Sequence, residues 1–214
     1  MNSSRFETLT GTVDLDFPEY DAPPPEPIGL VRRWLAAAVE RHVREPLSLA
    51  LATADDRGRA SNRTVTVNAV TDEGLVFATH STSQKGRELA ATGWASGLFY
   101  WRETSQQLIL SGPVRRLPDT ESDAMWRARP QMLHPMSVAS WQSQRLADAA
   151  SLRAEACHLA TQGAHAPLAR PDRFAGYRLE PSTVEFWCAS SDRLHRRLRY
   201  DRTGLAWRSS RLQP

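Results

Sequence analysis

Five consecutive residues, Ser81-Thr82-Ser83-Gln84-Lys85, bring hydroxyls, an amide and an ammonium together where a helical pattern begins. The first turn of a helix leaves backbone N–H groups without intrahelical partners and carries partial positive charge. Hydroxyls and a cation placed there make a site for an anion such as a phosphate. Lys85 is the only lysine in the chain; the remaining Lys/Arg positions are all arginine. Upstream, Arg63, Val65 and Val67 point one way while Thr64, Thr66 and Asn68 point the other, the period of two of a half-buried strand. One face of that strand can pack, and the other is a row of hydroxyl and amide groups.

The elements that must position these residues are legible around them. Residues 48–88 read as three strands separated by turns at Asp55–Gly58 and Thr71–Gly74, then a helix that starts at Ser83 and stops at Gly93. Runs at 95–101 and 106–116 predict a strand pair around Arg102–Ser105, with Gly112-Pro113 marking a bulge or an edge, since proline cannot donate to a ladder. Residues 118–162 are helical in pattern: one helix from Asp119 through Trp126 that breaks at Pro130, one around Val138–Leu146, and one over Asp148–Gln162. Strands follow at 174–179, 183–188, 194–200 and 205–212, with Asp201–Gly204 as a hairpin turn. Ahead of all this, Leu30, Val31, Trp34, Leu35, Ala38 and Val39 form the stripe of an amphipathic helix that ends before Pro46, with His42 as a boundary residue rather than a ligand. The polar, proline-rich residues 1–27 read as a flexible or extended arm. Short connections between many strands argue a mainly β, α+β domain over 28–214, an antiparallel barrel or sandwich with a helical insertion at 118–162 and C-terminal strands over 173–214.

Composition excludes several function classes. A chain of 214 residues with 41% hydrophobic content can build one core, and 27 basic against 24 acidic residues is a mild excess rather than a polybasic tail. The arginines thicken only at Arg193, Arg196, Arg197, Arg199 and Arg202, with no zinc-finger or RNA-binding signature beside them, so no nucleic-acid partner is expected. Cys157 and Cys188 form no metal pattern. No apolar run approaches a membrane span and the N-terminus lacks a signal layout, so a cytoplasmic protein with reduced thiols and no membrane partner is expected.

Three separated stretches, NRTVTVNAV, FATHSTSQKGREL and VEFWCASSDRLHRRLRY with the terminal RLQP, resemble the pyridoxamine 5′-phosphate oxidase family, collinearly from Pro46 to the C-terminus. The most specific piece is the W-x5-R-x-H-x-R spacing of Trp187, Arg193, His195 and Arg197. The resemblance implies an FMN-binding split β-barrel whose homodimer builds two flavin sites across the interface. It implies that Arg63, Thr64, Val65 and Thr66 lie along the flavin, with Arg63 at its phosphate. Ala78 and Thr79 touch it through backbone, and Lys85 pairs with the phosphate. Gln107, Gln142, Ser143, Trp187 and Arg197 surround it, some from the second subunit, with Arg197 near the electron-poor end of the ring. Gln84 stands where many members carry an arginine, which removes one cation from that site.

On the substrate side the departures are larger. The vitamin-processing members hold a substrate phosphate with a lysine, a tyrosine, an arginine and a serine; here those positions are Asn68, Met125, Arg129 and Leu133. An amide, a thioether and an isobutyl group in place of charged and hydroxyl donors leave a pocket apolar in its body with arginine at its margin. Arg193 and His195 are retained as catalytic residues that orient the substrate. This pattern suits a flat ring system bearing carboxylates, and resembles the phenazine-biosynthetic members of the family. The reaction so implied is oxidation of partly reduced phenazine carboxylates, with FMN as hydride acceptor and O₂ as final acceptor. Two alternatives stay open: a pyridoxine/pyridoxamine 5′-phosphate oxidase, and a non-catalytic flavin-binding split-barrel protein.

Overall fold

The computed structural model describes residues 14–214, and the strands expected from the alternation patterns form one continuous antiparallel system. Helix α1 (Ile28–Glu40) is followed by β1 (Ser48–Ala54), β2 (Ala60–Val70), β3 (Leu75–His80), α2 (Gln84–Thr92), β4 (Trp94–Trp101) and β5 (Gln106–Arg116). Then come α3 (Asp119–Ala128), α4 (His134–Ala139) and α5 (Ala149–His165), and finally β6 (Phe174–Leu179), β7 (Thr183–Cys188), β8 (Arg196–Thr203) and β9 (Ala206–Leu212). Strands pair in the order β4-β1-β2-β3-β6-β5, and β5 pairs back with β4, so six strands close into a barrel; β7, β8 and β9 extend from β5 as a sheet.

The closure depends on β5 changing partners. Gln106–Ser111 lie between β4 and β7, whereas Val114–Arg116 pair with β6. Gly112-Pro113 is the changeover, where the expected bulge or edge turns out to be a corner. Glu180 N donates to Pro113 O at 2.9 Å. A Cβ on Gly112 would lie 2.2 Å from Glu180 O, so only glycine lets the two backbones approach this closely.

Helix α1 buries Leu30, Val31, Trp34, Leu35 and Ala38 in the core that also holds Leu49, Leu51, Val65, Val67, Phe99, Leu108 and Phe186. It ends with His42 in the left-handed region (φ 54°) and Val43 N on Ala38 O at 3.0 Å, a capping turn consistent with the boundary role expected of His42. Gly93 caps α2 in the same way at φ 63°.

Three expectations are corrected. Residues 1–13 of the expected arm lie outside the described residues, but 14–27 are anchored rather than free. Phe17 is 3% exposed and packs edge-on against Trp34 with centroids 5.1 Å apart. Arg196 binds Asp14 Oδ1 at 3.0 Å and Leu15 O at 2.6 Å, Arg33 binds Glu19 Oε1 at 3.0 Å and Arg211 binds Tyr20 O at 2.9 Å, so a buried aromatic and three guanidiniums outweigh a polar, proline-rich composition. The helix expected at Val138–Leu146 lies earlier, at His134–Ala139, with Pro135 in its first turn, where a missing N–H costs nothing; 140–148 is irregular. Strand β8 begins at Arg196 rather than Leu194 and runs on through Asp201–Thr203, with the hairpin turn at Gly204-Leu205. Before it, Asp192 Oδ1 accepts from Ser190 Oγ at 2.6 Å and Leu194 N at 2.9 Å, local bonds that compete with the ladder.

Candidate active site

The anion site read from residues 81–85 is built as a helix start held against a strand end. Ser83 caps α2: its hydroxyl accepts from Gly86 N at 3.2 Å and donates to His80 O at 2.7 Å. A Cβ on Gly86 would meet His80 O and Ser81 O at 2.4 Å, so glycine permits this close seat. Lys85 Nζ donates to Thr79 Oγ1 at 3.1 Å and lies 3.5 Å from Gln142 Oε1. Thr79 Oγ1 donates to Gln142 Oε1 at 3.1 Å, and Gln84 N donates to Ser143 Oγ at 3.1 Å. Gln142 and Ser143, from the loop before α5, thus reach the start of α2 within the same chain, Ser143 in the left-handed region at φ 69°. Burial lowers the Lys85 pKa, the Arg63 charge adds to that, and Glu88 opposes it. Among the described residues no carboxylate bonds to Lys85. A half-buried ammonium and the hydroxyls of Thr79 and Ser143, set at the positive end of α2, suit a phosphate dianion.

Arg63 is already engaged. Its Nη1 faces the Thr53 hydroxyl and lies 3.3 Å from Leu51 O; its Nη2 faces the Ser61 hydroxyl and lies 3.2 Å from Glu88 Oε2. Glu88 also accepts from Ser61 Oγ at 2.7 Å, Gln84 Nε2 at 2.9 Å and the Thr53 hydroxyl. Burial alone would raise the Glu88 pKa, but its bonds from Ser61, Thr53, Gln84 and Arg63 outweigh burial and hold it down to about 2. Beside Arg63 on β2, the side chain of Val65 is in the core, whereas Thr64 and Thr66 are exposed; Ala78 is half-buried on β3.

A second group forms one row across the extended sheet. Tyr100 pairs with Gln107, Gln107 with Trp187, Trp187 with Arg197, and Arg197 with Leu212, so these residues share a face. Arg197 is held by Glu185 Oε1, 2.7 Å from its Nε and 2.6 Å from its Nη2, and by Gln213 O at 3.0 Å. The His195 ring lies 4.9 Å from the Trp187 ring. Its Nδ1 is 3.2 Å from Ser190 N, which can only donate, so the neutral ring carries its proton on Nε2. Arg193 is exposed, with its backbone in the left-handed region at φ 67°. Among the described residues no hydrogen bond or ion pair joins this row to the Lys85 cradle within one chain.

The positions expected to meet substrate are dispersed over β2, α3 and the segment after it, and among the described residues no side-chain hydrogen bond or ion pair joins the four. Asn68 is exposed at the register shift between Val67 and Ala69. Met125 Sδ lies 2.7 Å from where a Cβ on Gly176 would be. Arg129 stands 5.9 Å over the Phe174 ring, its Nε buried and without a partner among the described residues; burial lowers its pKa. Leu133 is 43% exposed. His80 is fully buried with neither ring nitrogen partnered among the described residues; burial first, then the charges of Arg173, Lys85 and Arg129, lower its pKa to about 4. Sequence reasoning missed His80, Glu88 and Glu185. Only Glu88 had a signal, its four-residue spacing from Gln84 on α2.

Residues 35–188 match the family model described as pyridoxamine 5′-phosphate oxidase. The chain belongs to the pyridoxamine 5′-phosphate oxidase family. Its closed six-stranded barrel is the split barrel of that family, and residues 174–214 match the pyridoxine 5′-phosphate oxidase C-terminal dimerisation region. Within the family, the chain is 57% identical over 214 residues to a dihydrophenazinedicarboxylate synthase of Burkholderia lata, covering 100% of both chains. It is 40% identical over 201 residues to a pyridoxine/pyridoxamine 5′-phosphate oxidase of Paraburkholderia phymatum, covering 94% and 93%. The solved structure of PhzG from Burkholderia lata 383 in complex with tetrahydrophenazine-1-carboxylic acid superposes with a TM-score of 0.93 at 56% identity, covering 95% of this chain and 100% of that one. No helix among the described residues is long and apolar enough to cross a membrane.

Proposed function

We propose that this family member is an FMN-dependent oxidase of phenazine biosynthesis that converts partly reduced phenazine carboxylates toward the aromatic tricycle. The observation that carries this reading is the full-length likeness to the dihydrophenazinedicarboxylate synthase and to the PhzG structure with its tetrahydrophenazine carboxylate. The substrate positions agree with it. Asn68, Met125 and Leu133 supply no cation for a phosphate ester, whereas Arg129, whose buried Nε has no partner among the described residues, together with the exposed Arg193, suits carboxylates on an otherwise apolar body.

FMN would be held at its phosphate by Lys85, Thr79, Ser143 and the start of α2, with Arg63 beside them, and along its ring by β2, Gln107, Trp187 and Arg197. When bound it supplies a two-electron acceptor that O₂ re-oxidises with release of hydrogen peroxide. The protein's part is positioning. Trp187 and Gln107 offer a flat wall, Arg129 and Arg193 orient carboxylates, and His195 presents an Nε2–H donor. Because the Nδ1 lone pair of His195 accepts from Ser190 N–H, the neutral ring offers its Nε2–H as a hydrogen-bond donor. Aromatisation of the substrate supplies driving force, so strong acid–base catalysis is not required.

The test is anaerobic mixing of the flavin-loaded protein with reduced phenazine carboxylates or with pyridoxine 5′-phosphate, following the flavin absorption band. Bleaching by the former and a weak response to the latter is expected; robust turnover of pyridoxine 5′-phosphate with no bleaching by phenazine precursors would overturn the reading.

A further inference from the structure

Glu88 is 7% exposed, lies one turn into α2 beside the cradle, and has no part in the proposed reaction. It touches both arms of the anion site. Its Oε2 meets Arg63 Nη2 at 3.2 Å, and its Oε1 takes Gln84 Nε2 at 2.9 Å from the residue whose backbone N–H holds Ser143. A guanidinium has five N–H donors, four of them on its terminal nitrogens. In Arg63 the terminal nitrogens are directed at Thr53, Leu51, Ser61 and Glu88, which leaves the single Nε–H and a charge fixed in place. An unrestrained arginine would have to give up side-chain freedom each time a phosphate arrived; this one has done so in advance.

We propose that Glu88 is the positioning residue of the phosphate site: by fixing Arg63, it sets how strongly the cradle prefers FMN to riboflavin. The proposal rests on the reading of the Lys85 cradle as the phosphate site. It opposes a simpler electrostatic view, in which a buried carboxylate near the phosphate only repels it.

The experiment titrates the flavin-free, full-length chain with FMN and with riboflavin, following quenching of flavin fluorescence. E88Q keeps the shape and the acceptor for Ser61 and Thr53 but loses the ionic hold on Arg63. FMN binding should weaken about tenfold, as for one lost charge-assisted bond, with riboflavin binding unchanged. R63Q should weaken FMN as well, and the R63Q/E88Q double variant should bind FMN no worse than R63Q alone, because Glu88 acts through Arg63. Ser61→Ala, which removes the hydroxyl shared by Arg63 and Glu88, should give a smaller loss of the same selectivity and carries the test where E88Q does not fold. Equal weakening of both ligands would make Glu88 merely structural, tighter FMN binding would make it a repulsive charge, and additive losses would separate it from Arg63; each overturns the proposal. A wild-type chain with no preference for FMN over riboflavin would instead remove the cradle reading, and the role of Glu88 with it.

Discussion

Each arginine placed by the sequence at the flavin carries a glutamate of its own chain: Arg63 holds Glu88 and Arg197 holds Glu185. Lys85 has no carboxylate partner among the described residues, so its charge is not neutralised by a bonded acid there. Lys85→Ala should therefore weaken FMN by about 1.5–3 kcal/mol and leave riboflavin nearly untouched, measured by flavin titration. His195 is distinguished by its donor. His195→Gln retains an N–H at comparable reach and should keep most of the flavin-reduction rate, whereas His195→Ala should lose it, read from single-turnover reduction. His80 acts on stability. Its pKa is 6.5 when unfolded and about 4 when folded, lowered by burial and then by Arg173, Lys85 and Arg129. As pH falls from 6.5 toward 4 the unfolded chain takes up a proton that the native state refuses, so stability drops by up to about 3 kcal/mol. His80→Phe should remove that slope in denaturant titrations at pH 7 and pH 5. Glu88 titrates in a lower window: its stabilisation is present above 4.5 and lost only as pH falls toward 2.

At the scale of elements, local chemistry decided what could be read from sequence. Strands β1 to β7 and helix α2 were legible because alternation, the Ser83 cap and the Gly93 stop all pointed to one structure. The position of α4 was hidden by Pro135, which reads as a breaker yet sits harmlessly in a first turn, and the anchoring of residues 14–27 depends on Phe17 meeting Trp34, a contact no local pattern encodes. The run 81–85 stood out for a similar reason to α2, since its polar groups are consecutive in sequence, whereas Thr79, Gln142 and Ser143 entered only through the family resemblance. The acids that fix Arg63 and Arg197 come from other registers, and a lone glutamate in a strand or helix looks like solvated surface. Gly112 could be suspected but not explained until β5 was seen to change partners there. Gly112→Ala should cost about 3 kcal/mol or more, because the added methyl falls on the backbone of Glu180; chemical denaturation with unchanged m-value checks it.

At the scale of the whole molecule, the expected flavin contacts fall into two groups that one chain does not join: the cradle of Thr79, Lys85, Gln142 and Ser143, and the row of Gln107, Trp187 and Arg197. That row continues to Tyr100, which is 57% exposed, and three of its members lie in or beside the region matching the family's dimerisation segment. A two-fold dimer that sets the row of one chain opposite the cradle of the other would complete two sites and cover Tyr100. Mixed dimers give the sharpest test. Lys85→Ala damages the cradle and His195→Ala damages the tail, so each homodimer should be poorly active. In a heterodimer one site combines both defects, while the other joins an intact cradle to an intact tail. Random reassembly of equal amounts yields half heterodimers, each with one good site of two, so activity should recover to about a quarter of wild type. Sites built within single chains would never complement, and the mixture would stay at the average of the two parents.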